Sequence, residues 1–392
     1  MPDKCCIRVQ QFHTLPEGPD CGKPAKFHHG TCSSRDPEPR KEQAEVFAAA
    51  AGVEMEPSAK SGAEVFIEEM MALVSQTLAR MEVSEHYEVI RELGAGAFGT
   101  VQLVRHRVQG TLLALKLMEK RRTGVRCFLR EYSTGLFLSP HPFITSALGI
   151  AFESPQHYVF VQEYAPIGDL FEVIQPMVGV PEASAKRVAL QLSLALEHLH
   201  SRGVVHRDLK PENVLLFDRA CCRIKLADFG RARAEGLRLQ AEGMSDSDGG
   251  PYDAPEAGGG APARRLGRPE DAWALGVLLF GLLTGAFPWW RASPSDSAFC
   301  AFRRWREGTA AGGEGGAEGK LLPPPPALPS HWRGIAPAAL LLLRGLLALR
   351  PEERASVGAV RDQLRQRWRR DEVEGEASQG NRSAAGSSPK EG

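Results

Sequence analysis

The sequence predicts an α+β protein in two lobes, a small β-rich N-terminal lobe followed by a larger, mainly helical C-terminal lobe. Three observations carry this expectation. Short segments with β-type alternation, residues 87–93, 99–105, 112–118 and 158–162, crowd into the first half. Beyond them apolar residues recur at helical spacing, as Val188, Leu192, Ala195, Leu196 and Leu199 do within 181–200, and again within 273–284 and 337–349. Finally, 43% apolar and 24% charged residues suffice for a sizeable core under an ordinary polar surface.

Taken in order, residues 1–60 mix Pro, Gly, Cys and charge with no periodicity and are expected to be a disordered extension. Residues 63–81 read as an amphipathic helix. Phe66, Met70, Leu73 and Met81 fall near one face, Ile67, Met71, Val74 and Leu78 widen it, and Glu64, Glu68, Glu69, Gln76 and Arg80 lie elsewhere. Docking of this 61–83 segment on the following domain is the expectation; a partner or membrane surface is the alternative. The domain itself spans 84–370, interrupted by Gly/Pro-rich stretches at 249–262 and 308–329, and the polar tail 371–392 is expected to be disordered. These stretches absorb much of the chain's 40 glycines and 28 prolines.

With 48 basic and 48 acidic side chains, the chain has no net charge that would draw it to nucleic acid or a membrane, so any electrostatic function must be local. Its eight cysteines are scattered without CxxC spacing and the N-terminus lacks an apolar signal core. Free thiols in the reducing cytoplasm are therefore expected. Residues 272–290 carry no formal charge over nineteen positions, close to a membrane-spanning length. Gly276, Gly281, Gly285 and Pro288 within the run, Asp271 at its start and no basic anchor before it favour a buried core helix instead.

Chemistry first shows at Leu93-Gly94-Ala95-Gly96-Ala97-Phe98-Gly99-Thr100-Val101. A GxGxxG alone is weak, but here a β-type segment precedes it and another follows where a dinucleotide-binding turn would open a helix. A hairpin with a glycine tip results, whose backbone can approach phosphate oxygens closely. Lys116 follows on a strand, and Glu131, on a helical segment, is the one carboxylate between Glu119 and Glu153. It is available to hold that lysine; an ordinary surface lysine and surface glutamate are the alternative. Then come His206-Arg207-Asp208-Leu209-Lys210-Pro211-Glu212-Asn213, Asp228-Phe229-Gly230 and Ala254-Pro255-Glu256.

Five motifs in this order resemble the eukaryotic protein kinase family, over residues 87–368. The resemblance implies the bilobal kinase-like fold, ATP and Mg²⁺ as cofactors, and protein substrates. It implies that Asp208 orients or deprotonates the substrate hydroxyl, that Lys210 neutralises the transferring phosphoryl group, and that Asn213 and Asp228 hold magnesium. Lys116 would grip the α- and β-phosphates with Glu131 as its partner. Adenine would lie under Val101 and Ala114 and above Leu215, against the backbone of Glu163-Tyr164-Ala165, with Gln162 as gatekeeper and Asp169 near the ribose; simple strand and turn packing is the alternative for these last residues. Arg354 is the expected partner of Glu256, and Phe229 would set active or inactive geometry.

The His206–Asn213 run resembles serine/threonine kinases, and the flanking helix, the short stretch from Lys116 to Glu131 and the proline run resemble the SH3-domain-binding kinase family. Lys320-Leu321-Leu322-Pro323-Pro324-Pro325-Pro326 fits a basic polyproline II ligand for an SH3 domain, or a spacer. One departure stands out. Gly249 occupies the place where serine/threonine kinases usually carry a threonine that bridges the catalytic Asp and Lys. Ser245 and Ser247 are candidates for phosphorylation that would order the segment through Arg207, unless Glu242, Asp246 and Asp248 substitute. The sequence thus supports a protein serine/threonine kinase. Its alternatives are a catalytically weak, pseudokinase-like scaffold that binds ATP and acts through the proline segment, and a small-molecule phosphotransferase.

Overall fold

The computed structural model describes residues 62–96, 99–240, 250–257, 263–310 and 327–368. The N-terminal part comprises α1 (Gly62–Thr77), β1 (Ala79–Arg80), α2 (Val83–His86), β2 (Tyr87–Gly96), β3 (Gly99–His106), β4 (Leu112–Glu119), α3 (Val125–Leu138), β5 (Ala147–Glu153) and β6 (His157–Glu163). Its six strands form one sheet in the order β1-β5-β6-β4-β3-β2. Only the β1–β5 pair is parallel.

The two-residue period of β4 sorts its side chains between two jobs. Leu113, Leu115 and Leu117 join Tyr87, Val104, Phe152, Val159 and Val161 in a small core on one face of the sheet. Ala114 and Lys116 turn to the other face, into a cleft. The same alternation on β6 buries Val159 and Val161 and gives Phe160 and Gln162 to the cleft.

The predicted helix over 63–81 is shorter than its periodicity implies. It ends at Thr77, whose hydroxyl turns back to the Leu73 and Val74 carbonyls, and Ala79 and Arg80 then pair with Phe152 and Glu153. Arg80 Nε also lies 2.7 Å from Glu153 Oε1. Strand pairing outweighs the local pattern here. Strand β5 is not read from the sequence at all: Gly149 in its middle takes φ of 71° and breaks the alternation.

The larger lobe holds β7 (Gly168–Asp169), α4 (Glu182–Ser201), β8 (Val204–Val205), β9 (Val214–Leu216), β10 (Ile224–Leu226), β11 (Arg233–Ala234), β12 (Arg238–Gln240), β13 (Ala263–Arg265), α5 (Pro269–Thr284), α6 (Ser297–Ala310), α7 (Pro337–Leu346) and α8 (Ala359–Gln363). Helix α5 is apolar almost all round and accordingly central: Trp273, Leu275, Leu278, Leu279, Phe280 and Leu282 are fully buried. Each such side chain contributes about 1.5–3 kcal/mol. Trp289 packs on Trp273 and Trp332 on Phe280 of α5, and Phe302 lies against both Trp289 and Trp332. The uncharged run over 272–290 is thus largely core, with Trp290 at its end exposed, and among the described residues no helix is long and apolar enough to cross a membrane. Cys127, Cys221, Cys222 and Cys300 are free thiols.

Candidate active site

A cleft of about 320 Å³ opens where the sheet meets the helical lobe, within the ordinary range for a small-ligand site. Leu93, Gly94, Val101, Ala114, Lys116, Glu131, Gln162, Glu163, Ala165, Asp169, Asn213, Leu215 and Asp228 line it. Ala95, Gly96, Gly99 and Thr100 stand on the β2–β3 hairpin outside that lining; Ala97 and Phe98 lie outside the described residues.

Lys116 sits between two carboxylates, with its Nζ 2.5 Å from Glu131 Oε1 and 3.2 Å from Asp228 Oδ1. Burial alone pulls the ammonium down, but Asp228 and Glu131 outweigh it and hold it above the ordinary lysine range. Glu131 is pushed up by burial, with Lys116 opposing. For Asp228 burial also acts upward, yet Lys116 and the Gly230 N–H hold the carboxyl below its usual value. Asp228 adopts φ of 64°, a left-handed conformation uncommon for a side-chain-bearing residue. Phe229 is buried edge-on against His206, with ring centroids 5.5 Å apart.

Below the cleft a second group forms. Asn213 Nδ2 donates to the Asp208 carbonyl at 2.7 Å and to Asp208 Oδ2 at 2.8 Å, and Lys210 Nζ lies 3.1 Å from Oδ2. Arg231 adds a contact that the sequence did not announce, its Nη1 3.3 Å from Asp208 Oδ1. Burial works to raise Asp208, but Lys210 and Arg231 hold it below the ordinary carboxylate range; Lys210, pulled down by burial, is raised by Asp208. The carboxylate is therefore ionised at neutral pH and able to receive a hydrogen bond from an incoming hydroxyl.

The loop carrying Asp208 is anchored from below. Asp271, fully buried at the start of α5, accepts from the backbone N–H of His206 and of Arg207, each at 2.9 Å, and lies 2.8 Å from His200 Nε2. These bonds hold Arg207 at φ of 66°. Its guanidinium reaches the Arg231 carbonyl and stands 3.8 Å from Glu270. The expected Arg354–Glu256 pair is present and two-pronged, at 2.5 and 2.6 Å, with Arg354 also over the Trp273 ring.

Two of the cleft residues have side chains engaged elsewhere. The Glu163 carboxylate receives Lys225 and the Ser146 N–H, each at 2.6 Å, and Asp169 caps a short turn through the Glu172 N–H. Gly249, Ser245, Ser247 and the proline run at 320–326 lie outside the described residues.

The cleft suits a nucleotide with its cation. A Cβ built on Gly94 or Gly96 would meet nothing within 4 Å, so the fold does not require glycine there and the space above the backbone is open. Gly99 differs, because its Cβ would fall 1.8 Å from the Leu117 carbonyl oxygen. The Asn213 amide nitrogen is spent on Asp208, which leaves its oxygen as a hard donor in a cleft that the Asp228 carboxylate also lines. Among the described residues no group of three or more acidic, histidine or cysteine side chains is gathered for a metal. Two oxygen donors suit a magnesium ion that takes its other ligands from phosphate and water.

A cleft between a sheet lobe and a helical lobe, with a lysine–glutamate pair above an aspartate–asparagine–lysine group, defines a site of the kinase class. The protein kinase domain family matches residues 87–368, and the chain belongs to that family. Serine/threonine-protein kinase SBK1 of Danio rerio is 44% identical over 311 residues, covering 79% of this chain and 76% of that protein. Serine/threonine-protein kinase SBK2 of Homo sapiens is 46% identical over 316 residues, 79% of this chain and 85% of the relative. At 31% over 292 residues, serine/threonine-protein kinase meng-po of Drosophila melanogaster covers 74% and 60%. The narrower resemblance read from the sequence falls on the first two of these relatives.

Proposed function

We propose that the chain transfers the γ-phosphate of ATP, with Mg²⁺, to serine or threonine hydroxyls of protein substrates. The observation that carries this reading is that Lys116, Glu131, Asp228 and Asn213 line one cleft, with Asn213 bound in turn to Asp208, which Lys210 also meets. Phosphoryl transfer asks for positioned charge and an in-line nucleophile more than for covalent chemistry, and these two groups supply both.

Lys116, kept charged by its two carboxylates, holds the α- and β-phosphate oxygens. Asn213 and Asp228 hold magnesium, which when bound neutralises phosphate charge. Asp208 accepts the hydrogen bond, and then the proton, of the substrate hydroxyl, while Lys210 meets the equatorial oxygens of the group in transfer. Val101, Ala114 and Leu215 enclose the base, Gln162 stands behind it, and the Glu163–Ala165 backbone meets its edge. The names of the relatives, all serine/threonine-protein kinases, support the acceptor assignment. An SH3-type partner at residues 320–326 is part of the proposal and rests on the spacing of Lys320, Pro323 and Pro326. A cytoplasmic setting is supported by the free thiols.

The test is γ-phosphate transfer by the full chain, with Mg²⁺, to a library of serine and threonine peptides, against Asp208→Asn. A loss of about 100-fold or more in the variant is expected. Equal rates would overturn the reading.

A further inference from the structure

Helix α3, which carries Glu131, is a weak helix by its own sequence. Ser133, Thr134 and Gly135 occupy its middle and no side chain caps its N-terminus at Gly124. Its support comes from outside, and much of it from α1. Glu64 of α1 is buried and lies 2.8 Å from Arg130 Nη1, Glu68 meets Arg126 at 3.1 Å, and Phe66 packs on Phe137 with centroids 5.1 Å apart. Arg126, Arg130 and Phe137 fall along one stripe of α3, at helical spacings of four and seven. Ile67 and Met71 are buried in the same core cluster as Phe128 and Tyr132.

The same helix also touches the elements that lead to the other half of the site. It contacts β11, the strand that begins three residues after Gly230. Ala63 Cβ stands 3.7 Å from where a Cβ would sit on Gly203, immediately before β8. Strands β8 and β11 pair with each other, Val205 opposite Arg233 and Val204 opposite Ala234. Strand β8 runs into His206-Arg207-Asp208, and β11 follows Asp228-Phe229-Gly230.

We propose that α1 is a positioning element for phosphoryl transfer: by joining the Arg130 stripe of α3 to the β8–β11 ribbon it fixes the rotation at which Glu131 meets Lys116. Successive residues of an α-helix point about 100° apart, so a helix pinned through Arg130 has little freedom to turn Glu131 away from the cleft. Glu64, Ile67 and Met71 are the positioning residues. The buried Glu64–Arg130 pair also fixes register, since a slipped helix would part the two. The inference rests on the kinase reading above for its consequence on turnover, but not for its consequence on α3.

The experiment uses the full chain and two readouts, amide hydrogen exchange over 125–138 and phosphate transfer. Glu64→Ala and Ile67→Asp are each expected to speed exchange over 125–138 by about tenfold while leaving 269–284 at the wild-type rate. Turnover is expected to fall by about tenfold with the peptide KM unchanged. The exchanged pair Glu64→Arg/Arg130→Glu is expected to restore both readouts to within about threefold of wild type. Exchange over 125–138 within about twofold of wild type in Glu64→Ala, or an exchanged pair that fails to restore α3 protection, would overturn the proposal. If Ile67→Asp also exposes 269–284 it has unfolded, and Glu64→Ala with the exchanged pair decides. A wild-type chain that transfers no phosphate counts against the kinase reading alone, because the exchange rates still answer for α1.

Discussion

Asp271→Asn isolates the anchor of the Asp208 loop. In the native chain Oδ2 accepts from the His206 N–H and lies 2.8 Å from His200 Nε2, while Oδ1 accepts from the Arg207 N–H. An asparagine can keep its oxygen on the His206 and His200 side only by turning its amide N–H toward the Arg207 N–H, donor against donor. One hydrogen bond to a charged group is lost, about 1.5–3 kcal/mol, and one buried donor is orphaned at about 1–3 kcal/mol. The sum is about 4 kcal/mol. At about 2–4 °C per kcal/mol for a domain of this size class, Tm should fall by about 10 °C in a thermal melt at pH 7. The pH dependence carries a second signature. Burial acts to raise the Asp271 carboxyl, but His200 and the loop donors hold it below the usual aspartate value. Its stabilisation is thus complete above the unfolded pKa, about 3.9, and is lost as pH falls through the lower folded value. Urea midpoints of native and variant chains should accordingly draw together at and below about pH 3.5. A variant melting within about 2 °C of the native chain at pH 7 would refute the accounting.

Three further outcomes follow from the geometry. Gly96→Ala should leave Tm within about 1 °C while raising the KM for ATP, whereas Gly99→Ala, driven into the Leu117 carbonyl, should lower Tm by several degrees; calorimetry and nucleotide titration separate the two. Arg354→Ala should cost about 3–5 kcal/mol in urea unfolding by leaving Glu256 without this partner and the Trp273 ring without its guanidinium cover, and Arg354→Lys should recover little, since an ammonium cannot reproduce the two-pronged contact. His198, against His141 at 4.4 Å and bonded to Arg202, is pushed down to about 4 by burial first and then by Arg202. A depressed histidine adds stability that is present above its unfolded pKa of about 6.5 and lost as pH falls toward 4, so His198→Leu should flatten the native chain's stability loss over that window in urea titrations.

The catalytic candidates were legible because their chemistry is local in sequence. Asp208, Lys210 and Asn213 lie within one turn and loop, and Asp228 precedes a phenylalanine and a glycine whose identities mark the place. The β4 pleat likewise follows from alternation, which puts Lys116 on the cleft face once Leu115 and Leu117 are buried. What the sequence hid is pairing across long separations. Nothing near Arg231 announces Asp208, and nothing in the charged residues of 63–81 selects Glu64 for Arg130. Asp271 was visible as a charge at the head of an apolar helix, yet its three partners come from residues 200–207 and appear only when α4 and α5 are packed. The end of α1 departs from the helical pattern for a related reason. Helical periodicity continues through Met81, but the backbone of Ala79 and Arg80 finds better hydrogen bonds on β5.

The N-terminal sheet ends on neither side in a straight, bare strand. At one margin β1 covers Phe152 and Glu153, and Gly149 bends what remains of β5 beside the exposed Leu148 and Ile150. At the other, β2 is broken by register shifts at Val89–Arg91 and Glu92–Gly94, with charged Glu88, Arg91 and Glu92 exposed around Val89 and Ile90. Both margins are therefore poor templates for strand addition by another molecule. The lobe can present apolar residues at its rim without offering another copy of itself a ready strand to pair with.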